Sequence, residues 1–167
     1  RFINLPARDV DIEIAHALHS LVGFLGVDRA SVWRYSQTDS DFRITHSFSS
    51  EGVELANMSL RGSQFPYALE RLSRGDLFLF SRIEELPQEA RAERSIFIEL
   101  GVKSHLTIPL MAGEEFIGMI SFNSLREERQ WPGLLVSRIR IVGTILAAAL
   151  SRKRAELQLE DAFGEIR

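Results

Sequence analysis

The chain has 167 residues, 45% of them hydrophobic, enough to bury one full-sized core, and its net charge of -3 gives no bulk attraction for nucleic acid or anionic membrane. It contains no cysteine, so disulfides, thiol catalysis, zinc fingers and thioether-attached cofactors are excluded. The longest apolar run, residues 145–150, is too short to cross a bilayer and no signal-peptide pattern opens the chain, so we expect one soluble, cytoplasmic domain without nucleic-acid partner or membrane segment.

The first half of the chain is predicted to form a helix, a hairpin, a short helix and a short strand. The first helix ends at Gly26, and its buried face carries Val10, Ile14, Leu18, Leu21 and Leu25. Residues 30–35 and 42–48 alternate as two strands joined by a turn rich in Ser and Asp. A short helix over 66–73 and a buried strand over 77–80 follow.

The second half is predicted to form a helix, a second hairpin and a long last helix. A helix begins after Pro87 and ends at Gly101, and a second hairpin over residues 103–125 turns at Gly113 and Glu114. The last helix opens near Pro132 and continues to the end of the chain. Five strands and these helices predict an α+β fold, in which helices cover a mainly antiparallel sheet as an α/β/α sandwich.

The second hairpin carries small and polar residues on one face, where Thr107, Ser121 and Asn123 alternate with large apolar residues. Apolar cavities with a few polar groups are the usual sites for small molecules. In the alternative, helices fill the space and the polar groups serve the backbone. We predict that a ligand-binding cavity is lined by side chains from the strands and from the segments covering them: Trp33, Tyr35, His46, Phe65, Ser81, Phe97, His105 and Phe122.

Six stretches between about residue 9 and residue 156 resemble, in order, the GAF domain of bacterial sensor proteins: LGVDRASVWRYS, HSFSSEGV, FPYALERLSRGD, FSRIEELPQEA, ELGVKSHLTIPLMAGEEFIGMISFNSLREERQWP and LAAALSRKRAE. The resemblance implies a six-stranded sheet with the first and last helices on one face and a ligand side of short helices and loops on the other. The missing sixth strand is expected within residues 53–61. It also implies a regulatory domain of a signal-transduction protein, either a sensor histidine kinase or an enhancer-binding transcription activator.

The known ligand-binding subclasses of the family limit which ligands this chain could bind. Members that bind cyclic nucleotides carry an Asn-Lys pair, and none of Asn4, Asn57 and Asn123 is followed by lysine. Phytochrome-like members attach a bilin through cysteine, and a haem would need His46 or His105 as axial ligand. We expect no cofactor, with covalent bilin excluded and haem not anticipated. The cavity then binds a small signal molecule or, in the alternative, the chain is a constitutive dimerisation module without a ligand.

No catalytic residues and no metal site are predicted. The sequence has no phosphate-binding GxxxxGK[ST] loop, no GxSxG elbow and no HExxH motif. His16 and His19 have a spacing compatible with metal ligation, but no carboxylate cluster completes a site. We therefore expect no enzymatic activity.

The last helix carries two apolar stripes. The first stripe is predicted to pack on the sheet and consists of Leu135, Ile139, Val142, Leu146 and Ala149. The second, spaced by alternating fours and threes, is a heptad seam that consists of Ile141, Ile145, Ala148, Arg152, Ala155, Leu159, Ala162 and Ile166. We predict a homodimer through this seam, with Ile12 and His19 at its margin. In the alternative, the alanines reflect only helix propensity.

These stripes also divide the chain. Residues 1–150 are predicted to form the sensor domain, and residues 151–167 a coiled-coil linker to a covalently attached output domain.

Overall fold

The computed structural model describes residues 7–53 and 59–166, and its elements follow the predicted order. The helices are α1 (Ala7–Leu25), α2 (Pro66–Ser73), α3 (Arg91–Leu100) and α4 (Gly133–Ile166). The strands are β1 (Arg29–Ser36), β2 (Asp41–Ser49), β3 (Ser59–Arg61), β4 (Phe78–Phe80), β5 (Ser104–Ala112) and β6 (Glu115–Ser124). Short 3-10 turns flank α2 and α3 at Gly62–Gln64, Ile83–Glu85 and Gln88–Ala90.

The six strands form one antiparallel sheet in the order β3-β2-β1-β6-β5-β4. The expected sixth strand is β3, which pairs with β2 by placing Leu60 opposite Phe42. The rest of its predicted segment, residues 54–58, lies outside the described residues. The predicted α+β fold is confirmed, and the two hairpins meet at the central pair β1 and β6.

The two faces of the sheet bury separate apolar clusters. Helices α1 and α4 cover the first, which we call the helical face; its core includes Val10, Ile14, Leu18, Ala30, Val32, Leu106, Ile108, Ile120, Phe122, Ile139 and Leu146. Helices α2 and α3 cover the second, the cavity face; its core includes Trp33, Phe42, Leu60, Leu72, Phe78, Phe80, Phe97, Phe116 and Met119. Each buried phenylalanine stabilises the fold by roughly 2 kcal/mol. The sheet is thus held from both sides.

Two irregularities in the pairing change which residues share a face. Val32 pairs with His46 but Trp33 pairs with Ile44, so Thr45 is an extra residue on β2. In the same way Leu110 pairs with Gly118 and Met111 with Phe116, which leaves Ile117 extra on β6. A bulge of this kind reverses the alternation beyond it. Residues that strict alternation places together therefore separate.

Glycines end two of the elements in the left-handed region. Gly101 follows α3 with φ 73° and accepts the conformation that closes the helix. Gly113, with φ 64°, makes the tight turn between β5 and β6. Both positions agree with the turn chemistry predicted from the sequence.

Helix α4 is longer than the sheet that it covers. Its first predicted stripe faces the sheet, where Ile139, Leu146 and Ala149 are buried. By length and composition, Gly133–Gly164 is also apolar enough to cross a membrane, which corrects the expectation drawn from short apolar runs. One helix of this kind is weak evidence for a span, because core helices of soluble proteins pass the same test.

Candidate functional site

A cavity of about 60 Å³ lies on the cavity face of the sheet, beneath α2 and α3. Its walls are apolar and consist of Trp33, Phe42, Leu60, Phe65, Ala68, Leu69, Leu72, Phe78, Phe97, Leu100 and Met119. Its polar floor comes from the central strands and consists of Arg29, Ser31, His105, Thr107, Ser121 and Asn123. The arrangement matches the usual lining of a small-molecule site, an apolar enclosure with a few polar groups.

An aromatic cluster forms the wall beside α3. The Phe97 ring lies 6.1 Å from that of Phe78 in a stacked arrangement and 6.2 Å from that of Phe65 edge to face. It also lies 4.6 Å from the imidazole of His105. Such pairs add about 1 kcal/mol each beyond the burial of their area. The wall can therefore accept the face or edge of a further flat ring.

Hydrogen bonds orient the polar floor. The Trp33 indole Nε1 donates to Ser121 Oγ at 2.8 Å. His105 Nδ1 lies 2.6 Å from Asn123 Oδ1, which can only accept, so the proton is assigned to Nδ1. Nε2 then accepts from the Thr107 hydroxyl. Both ring nitrogens of His105 are therefore engaged.

His105 is held in its neutral form. Burial lowers the pKa of its imidazole to about 4, the bond to Asn123 opposes this change, and the positive charge of Arg29 adds to it. The surroundings disfavour the charged ring because they cannot replace its hydration. At neutral pH the floor thus carries a single formal charge among its side chains, that of Arg29.

Four of the eight predicted cavity residues meet at this site: Trp33, Phe65, Phe97 and His105. Tyr35 belongs to the same face but packs against Phe42 and Phe116, with ring centroids 4.8 and 5.1 Å away. Ser81 follows β4, where its backbone N–H donates to Glu85 Oε1. Neither residue lines the cavity.

The predicted cavity positions of His46 and Phe122 are wrong. Because Thr45 is a bulge residue, His46 turns to the helical face, and its Nε2 lies 2.8 Å from Asp11 Oδ1 on α1. Phe122 alternates with Ser121 and Asn123 on β6 and is fully buried in the helical-face core. The bulge at Thr45 separates His46 from the floor, and strand alternation separates Phe122 from it.

Sequence reasoning also missed floor residues. Ser121 and Asn123 lie two residues apart on β6, and Thr107 lies two residues from His105 on β5. Their signal in the sequence is the row of polar residues on one face of the second hairpin. Arg29, at the first position of β1, had no such signal because a strand end with an arginine is most often solvated.

A second, open cleft of about 1020 Å³ lies on the other side of β1, beside the last turns of α4. Lys153 Nζ lies 2.7 Å from both carboxylate oxygens of Asp11, which also contacts His46. Burial raises the pKa of Asp11, but the hydrogen bonds and charges of Lys153 and His46 outweigh it and hold that pKa below its usual value. This cluster ties α1, β2 and α4 together.

Comparisons with known proteins point to one family. The sequence model of a protein family described as GAF domain matches residues 9–152. No curated protein matches the chain in sequence. Within residues 7–53 and 59–166, no group of metal-ligating side chains occurs that would hold a metal ion.

Solved structures share the fold at low sequence identity. The blue-light absorbing form of the PixJ GAF domain from Thermosynechococcus elongatus has a TM-score of 0.76 and 15% identity, over 99% of each chain. A phycoerythrobilin-bound GAF domain from a cyanobacterial phytochrome has a TM-score of 0.77 and 15% identity, over 90% of this chain and 89% of that one. A phycocyanobilin-bound GAF domain from a cyanobacterial phytochrome has a TM-score of 0.74 and 15% identity, over 92% and 98%.

These structures correct the expectation that no cofactor is bound. Two of the similar domains hold a bilin, so a fold of this kind accommodates a large tetrapyrrole. The absence of cysteine excludes only a thioether bond to this chain and not the cofactor itself.

Proposed function

Because the chain belongs to the GAF domain family, we propose that its cavity binds the signal and that α4 carries the response to an output domain. Domains of this family are sensory and regulatory, and the chain is not an enzyme. The observation that carries the proposal is the enclosed cavity, in which an aromatic wall faces a hydrogen-bonded polar floor. Trp33, Phe65, Phe97 and His105 would contact the ligand.

Similar domains hold bilins, so a bilin is one cofactor to test at this site. The residues as arranged do not fit one, because a cavity of about 60 Å³ is far smaller than four linked pyrrole rings. The chain also offers no thiol for attachment. A bilin would have to be held without a covalent bond, after α2 and α3 had moved away from the sheet.

We expect the purified chain to retain a small molecule that the variant Ala68→Leu loses. Ala68 is buried in the cavity wall, and the larger side chain would occupy the space. Native mass spectrometry and absorption spectra would detect the bound molecule, with a bilin recognised by its visible bands. Ala15→Leu, at an exposed position of α1, is the matched control and should keep the ligand.

If the chain purifies without a bound molecule, and if no compound from a set of metabolites and bilins raises its thermal stability, the result would argue instead for a constitutive dimerisation module. Retention of the ligand by Ala68→Leu would place the site elsewhere.

The second part of the proposal is a parallel dimer through α4. Leu134, Ile141 and Leu159 are 69, 61 and 58% exposed, although each is a large apolar side chain. Leu134 lies seven residues before Ile141 and so extends the predicted seam by one heptad. A second copy of the same helix would cover all three. Ile12 on α1 is 57% exposed and lies at a position that can join the contact.

The rest of the seam has mixed character. Ala148, Ala155 and Ala162 are exposed and small, which permits close approach of two helices, while Arg152 is half-buried and already makes a contact within the chain. The side chain of Ile166 lies outside the described residues. We propose that residues 151–167 link the sensor domain, residues 1–150, to an output domain such as a histidine kinase or a transcription activator.

Introducing charge on the seam is expected to convert the dimer into monomers. In the double variant Ile145→Glu, Leu159→Glu, four carboxylates would face one another across the two-fold axis, and their desolvation and repulsion outweigh the modest packing of the alanines. Sedimentation at micromolar concentrations measures the change. Gln158→Glu, which adds a charge beside the seam, should remain dimeric. If the unmodified chain already sediments as a monomer at these concentrations, the proposed dimer is wrong.

The Asp11, His46 and Lys153 cluster supports α4 as the path of the response. Lys153 of α4 bonds to both carboxylate oxygens of Asp11 on α1. A shift of β1 or β2 around a ligand would reach α4 through this contact. Location in the cytoplasm stays a prediction.

A further inference from the structure

We propose that the cavity selects a small organic anion, a carboxylate attached to a flat apolar ring. This rests on the proposed function, since it names the class of molecule that the same cavity would sense. The argument follows from which hydrogen-bonding groups of the floor are still available, which charges line the cavity, and where the wall opens.

The floor offers hydrogen-bond donors to a ligand. The acceptor Oδ1 of Asn123 is used by His105 Nδ1, and the acceptor Nε2 of His105 is used by the Thr107 hydroxyl. Ser121 accepts from the Trp33 indole, so its own hydroxyl proton can be donated. The amide N–H groups of Asn123 can be donated in the same way. A ligand that brings acceptor atoms to this floor can therefore use these donors.

The described part of the lining carries charge of one sign. Among residues 7–53 and 59–166, Arg29 is the charged residue of the cavity lining, and no Asp or Glu side chain of these ranges belongs to it. Arg29 already makes a contact within the chain, but its guanidinium carries five N–H donors and can serve a second acceptor. Glu93 is the buried carboxylate behind the wall, where its Oε2 accepts from the Ala68 N–H. Charge-assisted bonds from a guanidinium favour a carboxylate over a neutral acceptor.

The aromatic wall of the cavity determines which group the ligand carries beside its carboxylate. Opposite the floor stand the rings of Phe78 and Phe97, against which a flat ring can stack. Phe65 is half-buried and Leu100 is 39% exposed, so the wall is incompletely enclosed at these two residues. The volume of about 60 Å³ accommodates the carboxylate, and the ring follows by displacing Phe65.

Three probes of one ring size test the proposal: benzoate, benzyl alcohol and benzylamine, titrated at neutral pH into the full chain. We expect benzoate to bind roughly tenfold tighter than the other two, as one charge-assisted contact would give. The readout is the indole N–H signal in NMR spectra. That of Trp33 should move because it lies on the cavity, whereas that of Trp131 bonds to the Phe80 carbonyl and should stay.

The variant Arg29→Met keeps an unbranched apolar stem and removes the guanidinium with its charge. It should lower the affinity for benzoate about tenfold and leave that for benzyl alcohol unchanged. Arg43→Met, which removes an exposed arginine from the neighbouring strand, is the matched control and should bind benzoate like the parent chain.

Equal or tighter binding of benzyl alcohol or benzylamine at Trp33 would overturn the anion selectivity while leaving the cavity as the sensor site. Benzoate affinity unchanged in Arg29→Met would overturn it as well. If none of the probes moves the Trp33 signal, the ligand class is wrong, and the retention experiment with Ala68→Leu then decides separately whether the cavity binds any signal.

Discussion

Replacing Gly118 by alanine is expected to destabilise the chain by roughly 3 kcal/mol or more, at the upper end of what atoms inserted into a packed interior cost. A Cβ at this position would lie 2.1 Å from the carbonyl oxygen of Trp33 and 3.2 Å from its carbon. The obstacle is backbone of the neighbouring strand β1, which no rotamer change can remove. Strand β6 must therefore move away from β1 in the centre of the sheet.

The matched control is Gly23→Ala in α1, where a Cβ meets nothing within 4 Å. Alanine is the better helix former by roughly 1 kcal/mol, so this variant should be as stable as the parent or more so. Urea unfolding followed by circular dichroism gives both free energies. Equal midpoints for Gly118→Ala and the parent chain would show that β1 and β6 are not paired as described. Because Trp33 also lines the cavity, Gly118→Ala should lose ligand binding together with stability.

Acid is expected to remove about 3 kcal/mol of stability through His105. Its pKa is lowered from the usual 6.5 to about 4 in the folded chain, so between these values the unfolded chain binds the proton more tightly. The stability that the neutral imidazole of His105 contributes is fully present above pH 6.5 and is lost progressively as the pH falls towards 4. One pKa unit corresponds to about 1.4 kcal/mol, which gives the total.

The variant His105→Gln should be less stable at pH 7 because it loses packing against the Phe97 ring, but its free energy of unfolding should vary less between pH 6.5 and 4.5. His16→Gln, at an exposed position of α1, should keep the slope of the parent chain. Denaturant unfolding at a series of pH values measures these slopes. A slope that is the same in the parent chain and in His105→Gln would mean that the imidazole is not buried in its neutral form.

The sequence by itself determined the helices, five of the six strands and their order, because each of these features is local, whereas β3 was expected only from the resemblance to the family. The stripe through Ile14 and Leu18 identifies a helix that is packed on one side. The turns at Gly101 and Gly113 need positive φ. Alternation in β5 points the side chains of Leu106 and His105 to opposite faces of the sheet. The same local signals carried the resemblance to the family. The aromatic and polar residues of the second hairpin likewise indicated a cavity before its position was known.

Only the tertiary structure decided which side chains meet. The bulges at Thr45 and Ile117 depend on how distant strands pair, and they send His46 to α1 and bring Phe116 beside Met119. A shift of one residue reverses the face of every side chain beyond it, so strict alternation fails for β2 although it holds for β5. The enclosure itself arises because α2 and α3, far from the floor residues in sequence, close over Ser121 and Asn123. No local pattern contains that contact.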